Sequence, residues 1–124
     1  MSMWNPEDLV AIGSAEELHI AARRDDGTLR SPVPIWVVRV GDEIYVRSYR
    51  GRGSGWFKHA IQHHEGHISA GGVESDVKFE ESENPPRAAT DAAYREKYSR
   101  FGAKFVDPMV TAEAVGATLR ILPV

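Results

Sequence analysis

Short segments of alternating apolar and polar residues, separated by turn residues, make up much of the chain from Leu18 onward. In the first segment Leu18, Ile20 and Ala22 share one face, because a strand places every second side chain on the same side. Asp25-Asp26-Gly27 follows and is a strong hairpin-turn signal. This part of the chain therefore predicts an antiparallel strand pair.

The strand predicted after this turn contains two prolines, Pro32 and Pro34, and resumes over residues 35–38. Proline cannot donate a hydrogen bond to a neighbouring strand, so we expect this strand to enter the sheet at an edge or a bulge. Gly41-Asp42 forms the next turn, and a third strand follows from Ile44. Three consecutive strands joined by short turns favour an antiparallel sheet.

The remainder of the chain predicts three helices and three further strands. The helices cover residues 4–12, 55–64 and 90–101, and the strands cover residues 67–70, 77–79 and 117–122. Residues 80–86 are acidic and proline-rich and predict a loop, and an irregular stretch surrounds Pro108. This order of elements is typical of a small antiparallel barrel with helices outside, in the mainly β (α+β) class.

The composition predicts a soluble single domain over residues 1–124. The 42% hydrophobic and 27% charged content is ordinary for a globular protein. The chain has no cysteine, which excludes disulfides and thiol catalysis. It shows neither a signal peptide nor a membrane span, so we expect a cytoplasmic protein. A net charge of −3 argues against nucleic acid or an acidic membrane as a partner.

One segment differs from this acidic background. Residues 43–58, EIYVRSYRGRGSGWFK, read as a strand, a basic glycine-rich loop and the start of a helix. Guanidinium groups offer phosphate a planar set of donors, glycines let the backbone approach a ligand, and the free N–H groups of a helix start carry partial positive charge. The segment therefore predicts a site for a phosphate or another anion. Its candidate residues are Arg47, Ser48, Arg50, Arg52, Ser54 and Gly55.

Two other interpretations of this loop are open. Its arginines could instead form surface ion pairs with Glu80, Glu81 and Glu83. Arginine–glycine dipeptides beside an aromatic residue also occur in RNA-binding tails, but two such dipeptides inside a folded domain are a weak match. The loop therefore predicts either an anion site or a set of internal ion pairs.

Histidines and catalytic motifs are less informative. His59 and His63 lie four residues apart, a spacing that can chelate zinc or nickel, but no HExxH pattern is present and a solvent-exposed helix face is favoured. We therefore predict no metal. The chain has no nucleophile elbow, Walker loop or dinucleotide fingerprint. Catalytic residues are unassigned, and we expect a bound cofactor to carry any chemistry.

The aromatic residues are interpreted mainly as core. Trp36 is in phase with Val38, and Tyr94 and Tyr98 share one stripe of a predicted helix. Trp56 opens the preceding predicted helix, where it either packs that helix onto the barrel or covers a planar ligand ring. Packing is the favoured role for Trp56.

Four segments of the chain carry a family resemblance: ELHIAARRDDGTLRSPVPIWVVRVGDEIYVRSYRGRGSGWF, HISAGGVESDVKFE, DAAYREKYSRFG and ATLRILP. Together they resemble a bacterial family known as domain of unknown function 2255, over a range from about Trp4 to Pro123. That family is similar in turn to the FMN-binding split β-barrels, which include pyridoxamine-phosphate oxidase-like proteins and deazaflavin-dependent nitroreductases.

The resemblance implies a six-stranded antiparallel split β-barrel with peripheral helices, forming a homodimer with cofactor sites at the subunit interface. In the deazaflavin branch a strand ending in serine leads through a glycine-containing loop to a helix opened by tryptophan. Ser48, Gly51 with Gly53, and Trp56 match those places. The implied cofactor is FMN or a deazaflavin coenzyme. Its implied phosphate partners are Arg47, Arg50, Arg52 and Lys58.

Two positions depart from the nitroreductase-like pattern. His59 stands where that branch has asparagine, and Gly55 stands where it has proline. The predicted function is a flavin- or deazaflavin-nucleotide-binding protein acting as an oxidoreductase on a small molecule. The alternative is a non-enzymatic dimeric binding module, without cofactor, that takes a small anionic ligand or a protein partner in the same cleft.

Overall fold

The computed structural model describes residues 3–81 and 86–124. The strands are β1 Leu18–Ala22, β2 Val33–Ile35, β3 Val38–Val40, β4 Glu43–Arg47, β5 Glu65–Ala70, β6 Val73–Glu81 and β7 Thr118–Pro123. The α-helices are α1 Pro6–Ser14, α2 Gly55–His63, α3 Arg87–Tyr98, α4 Ala103–Val106 and α5 Ala112–Val115. Short 3₁₀ turns cover Gly51–Gly53, Ser99–Phe101 and Asp107–Met109.

The strands form one antiparallel sheet in the order β2-β1-β5-β6-β7-β4-β3. The two edge strands, β2 and β3, are consecutive in the chain and are joined by Trp36 and Val37 alone. Three Cα–Cα steps span at most about 11 Å, whereas a flat seven-stranded sheet would place its edges about 29 Å apart. The sheet therefore curls until its edges nearly meet, which confirms the predicted split-barrel class.

The second predicted strand is divided in the structure. The sequence predicts six strands, whereas the described residues contain seven, because Val33–Ile35 pairs with β1 at one edge and Val38–Val40 pairs with β4 at the other. The prediction that the proline-containing strand lies at an edge is confirmed, since Pro34 belongs to β2. The missing N–H of proline costs least at an edge, where no further strand needs it.

Tyr98 of α3 contacts Trp36 and Val37, the crossing point where the chain passes from one edge of the sheet to the other. Its hydroxyl accepts a hydrogen bond from the Val37 N–H at 3.0 Å and lies 2.8 Å from the Glu16 carbonyl, to which it can donate. Its ring stacks on Trp36, with the centroids 3.9 Å apart and the planes 4° apart. The hydroxyl therefore forms hydrogen bonds with backbone groups that lie outside the strands. The predicted place of Tyr98 in the core is confirmed.

Two hydrophobic clusters lie on opposite faces of the sheet. Successive side chains of a strand point to opposite faces, so β4 contributes Ile44 and Val46 to the larger cluster and Tyr45 to the smaller one. The larger cluster also contains Phe57 of α2. The smaller cluster contains Tyr94 and Tyr98 of α3, so this helix covers the outer face of β3 and β4.

Two regions differ in extent from the predictions. β6 begins at Val73, earlier than the predicted residue 77, because the alternating exposed residues before Val77 pair with β5. The predicted irregular stretch around Pro108 contains α4 and α5. Of the predicted acidic loop at 80–86, residues 82–85 lie outside the described part of the chain.

Within the described residues, no helix combines the length and the apolar character needed to span a membrane.

Lys97 makes the unfolding free energy depend on pH, and this dependence tests the packing around Val37. Its Nζ donates to the Val37 carbonyl at 2.6 Å, and burial, aided by the charge of Arg100, lowers its pKa to about 8. The unfolded chain, with a lysine pKa of about 10.4, binds more protons above pH 8, so Lys97 contributes more stability as the pH rises. We expect the unfolding free energy of the wild type to rise relative to Lys97→Met between about pH 7.5 and about pH 9.5.

Urea denaturation of both proteins across this window measures the difference, with the exposed Lys104→Met variant as a matched control. Burial also raises the pKa values of Tyr45 and Tyr98 to about 12 in the folded protein. Both tyrosines are present in the wild type and in Lys97→Met, so their titration in the unfolded chain, near pH 10, cancels from the difference. A constant difference between wild type and Lys97→Met would contradict the prediction.

Candidate functional site

The predicted strand, loop and helix occur in that order at the candidate site. β4 ends at Arg47, and the N–H of Ser48 still donates to the Ala117 carbonyl at 3.1 Å. The chain then forms the Gly51–Gly53 turn and enters α2 after Ser54. Both ends of the loop are therefore held by regular structure.

Gly51 is the glycine of this loop that the backbone requires. Its φ is +76°, a left-handed conformation, and a Cβ at this position would lie 2.5 Å from Cγ of Glu113. A Cβ on Gly53 or Gly55 would meet open space. The loop is thus closely packed at Gly51 and accessible to a ligand at Gly53 and Gly55.

Two serine hydroxyls meet at the base of the loop. Ser48 is buried, and its Oγ lies 2.8 Å from Oγ of Ser54. Ser54 precedes α2, and its side chain makes no capping bond to the helix. The first turn of α2 therefore begins without a side-chain acceptor from its N-cap, which leaves partial positive charge at this end of the loop.

Arg52 links the loop to two other elements. Its Nη1 lies 2.6 Å from Oε1 of Glu81 at the end of β6 and donates to the Gly116 carbonyl at 3.0 Å. Its guanidinium carbon lies 5.2 Å from the centre of the Phe57 ring. The alternative of ion pairing within the chain is thus observed for Arg52 with Glu81. Of the other predicted acids, Glu80 pairs with Arg120 and Glu83 lies outside the described residues.

Arg50 and Lys58 are exposed at the loop and at the first turn of α2. Arg50 donates from Nε to the hydroxyl of Tyr49 at 3.1 Å. Within residues 3–81 and 86–124, neither cation forms an ion pair with a carboxylate. Their charges therefore remain accessible to an anion.

Arg47 occupies a different environment from the rest of the predicted set. Its side chain is fully buried, and its Nη1 lies 2.5 Å from Oδ1 of Asp91 on α3. It also donates to the hydroxyl of Thr118 and the carbonyl of Met109, both at 3.0 Å. The predicted phosphate role of Arg47 stays a prediction: its Nη1 is taken by Asp91, while its buried Nη2 has no hydrogen-bond partner within the described residues.

Sequence reasoning missed two acids that contact the predicted residues. Asp91 and Glu113 lie 44 and 62 positions after Arg47 and Gly51, respectively, and only the folded chain brings them close. Asp91 carries one signal: it shares the helical stripe of Tyr94 and Tyr98, and a carboxylate on a buried stripe calls for a buried partner. No comparable signal identifies Glu113.

Trp56 is half-buried at the first turn of α2. It packs against the larger hydrophobic cluster and meets the Phe57 ring edge-on, with centroids 5.8 Å apart. The favoured packing role is therefore observed, while part of the indole remains exposed beside the loop.

An open groove adjoins the loop through Glu81, the partner of Arg52. His64 lies in this groove with a positive φ of 59°, and its Nδ1 lies 3.0 Å from the Phe79 carbonyl. Because a carbonyl accepts, this nitrogen carries a proton. The groove is lined by His63, His64, Glu65, Lys78, Phe79, Glu80, Glu81 and Leu122.

Two histidines contact carboxylates, and one of them, His67, contacts both Glu74 and Asp76. Nε2 of His63 lies 2.5 Å from Asp25, and Nδ1 of His67 lies 3.1 Å from Asp76. Burial, together with the charges of Arg30 and Lys58, lowers the pKa of His59. In the described part of the chain, no group of three or more potential ligands is placed to hold a metal ion.

Sequence comparison matches residues 8–121 to a family described as an uncharacterized protein conserved in bacteria, DUF2255. No protein of curated function matches the sequence.

Three solved structures illustrate the fold match. A conserved hypothetical protein from Mycobacterium tuberculosis superposes with a TM-score of 0.61 at 14% identity, over 99% of this chain and 82% of that one. An F420 reductase gives 0.57 at 14% identity, over 92% and 89%. An FAD-binding protein from Mesorhizobium loti gives 0.53 at 12% identity, over 98% and 89%. At these identities the matches establish a shared fold.

Proposed function

The chain belongs to the DUF2255 family of bacterial proteins, and we propose that it binds a flavin-type cofactor through the loop between β4 and α2. The observation that carries the proposal is the accessible positive charge of Arg50 and Lys58 beside a helix start. Similar folds named as an F420 reductase and an FAD-binding protein support a flavin or deazaflavin as the ligand class.

The loop fits the phosphate end of such a cofactor. Arg50 and Lys58 would supply charge-assisted donors, and the paired hydroxyls of Ser48 and Ser54 would supply a further hydrogen bond. The open space at Gly55 lets an anion approach the first N–H groups of α2. Arg52 would join the phosphate contacts by exchanging Glu81 for the ligand.

The half-exposed indole of Trp56 would border the cofactor ring. A bound flavin or deazaflavin supplies hydride transfer, so the chain's own residues need only bind, orient and shield it. On this basis we propose a cytoplasmic oxidoreductase acting on a small molecule, as a homodimer in which the second subunit completes the site. FMN and a deazaflavin coenzyme are both candidates.

Titration of the purified protein tests the proposal. FMN, riboflavin and a deazaflavin coenzyme are added separately while thermal unfolding is followed, and light scattering reports the dimer. Ligand at 100 times its dissociation constant is expected to add about 2.7 kcal/mol of stability.

Arg50→Ala should weaken FMN binding by about 1.5–3 kcal/mol, through loss of one charge-assisted contact.

Arg39→Ala is the matched control, since Arg39 is an exposed arginine of β3 beside Asp42. Equal FMN affinity in the Arg50→Ala and Arg39→Ala variants would show that the loop between β4 and α2 is not the phosphate site. Absence of a shift with every cofactor would favour the binding module that takes another anion or a protein partner.

A further inference from the structure

We propose that Glu81 and Glu113 determine which anions the loop accepts, Glu81 by competing for Arg52 and Glu113 by repelling a bound anion. This inference rests on the proposed function of the loop. The two acids reach the loop from separate elements, since Glu81 ends β6 and Glu113 lies in α5.

Glu81 occupies a donor that a phosphate would use. Its carboxylate lies 2.6 Å from Nη1 of Arg52, and the two side chains are 37% and 53% exposed, respectively. An anion arriving from solvent can therefore reach Arg52, but it must replace Glu81. The Gly116 carbonyl and the Phe57 ring hold the guanidinium in place during such an exchange.

Glu113 approaches the loop at the glycine with a positive φ. A Cβ on Gly51 would lie 2.9 Å from Oε1 of Glu113, so this carboxylate lies against the loop backbone. Glu113 is exposed, and the structure assigns it no ion pair within the described residues. Its negative charge therefore opposes an anion bound between Gly51 and the start of α2.

The exchange of Glu81 for a ligand identifies the ligand class. A carboxylate ligand would replace one singly charged group by another at Arg52 and gain little. A phosphate monoester carries a charge of about −1.5 to −2 at neutral pH and three acceptor oxygens. It can therefore outcompete Glu81, so the geometry points to a phosphate monoester, such as the terminal phosphate of FMN.

FMN and riboflavin distinguish binding of the phosphate from binding of the ring, because they share a ring and differ in the phosphate. We expect Glu81→Gln and Glu113→Gln each to tighten FMN binding by about two- to fivefold, the range typical of exposed charge pairs. Riboflavin binding should stay unchanged. Glu74→Gln is the matched control, since Glu74 lies at the opposite end of β6. Fluorescence titration of the intact variants gives the dissociation constants.

Each outcome decides a separate point. Suppose that the wild type binds FMN more strongly than riboflavin, but that neither glutamine variant changes FMN affinity. The proposed effect of the two acids is then wrong, while the phosphate site in the loop still stands. Equal tightening of riboflavin also overturns the proposed effect of the acids, because riboflavin has no phosphate. If neither the wild type nor the variants bind FMN, this inference fails, and if they also bind no deazaflavin coenzyme, the proposed function fails with it. FMN binding that appears only in the variants supports both.

Discussion

Replacing Asp91 with alanine is expected to lower the free energy of unfolding by about 3–5 kcal/mol, because the charge of Arg47 is left buried without its partner. The Arg47 side chain is fully buried, and Asp91 lies 2.5 Å from it. The other acceptors of Arg47, on Thr118 and Met109, are neutral and cannot supply the missing charge. Urea denaturation followed by circular dichroism measures the loss.

Two further variants make this measurement specific. Asp42→Ala removes an exposed carboxylate that lies 3.9 Å from Arg39, and it should change the unfolding free energy by at most about 1 kcal/mol. The double variant Arg47→Met/Asp91→Leu replaces the ion pair with apolar groups and should recover most of the stability lost in Asp91→Ala. The prediction fails if Asp91→Ala is no more destabilising than Asp42→Ala.

Truncation of Tyr98 is expected to have the second large effect, because this residue packs the point where the barrel edges meet. Tyr98→Ala should cost about 3–5 kcal/mol, as other buried aromatic truncations do. Tyr98→Phe keeps the stack on Trp36 but leaves the Val37 N–H without its acceptor, at a cost of about 1–3 kcal/mol. Urea denaturation of both variants separates ring packing from hydrogen bonding.

Tyr49→Phe is the control for loss of a hydroxyl, since Tyr49 is 53% exposed and should change stability by at most about 0.5 kcal/mol. A Tyr98→Phe protein as stable as the wild type would mean that the hydroxyl adds nothing to the crossing point. The ring would then carry the whole effect of Tyr98→Ala.

Local patterns predicted most of the fold, but they missed the crossing between the sheet edges. Alternation and turn residues identify β1, β4 and β7 because these signals act within a few neighbouring residues. Residues 35–38 form one apolar run, and nothing local indicates that Ile35 pairs with β1 while Val38 pairs with β4. Strand partners are non-local, so the division of this run depends on how the whole sheet curls.

The candidate loop shows the same division between local and distant information. Its glycines, hydroxyls and helix start are adjacent in sequence, so their combination was readable from residues 43–58. The partners of its arginines were not readable, since Asp91 and Glu81 come from α3 and β6. The stripe shared by Asp91 with Tyr94 was the available hint that Arg47 lies inside the protein.

The sequence by itself determined a mainly β barrel and a basic strand-to-helix loop, because periodicity, turn residues and clustered charge are properties of neighbouring residues. The tertiary structure decided which of those charges stay accessible. It buries Arg47 with Asp91, pairs Arg52 with Glu81 and leaves Arg50 exposed. A charge depends on the burial and partners that folding provides, and these come from residues far apart in the chain.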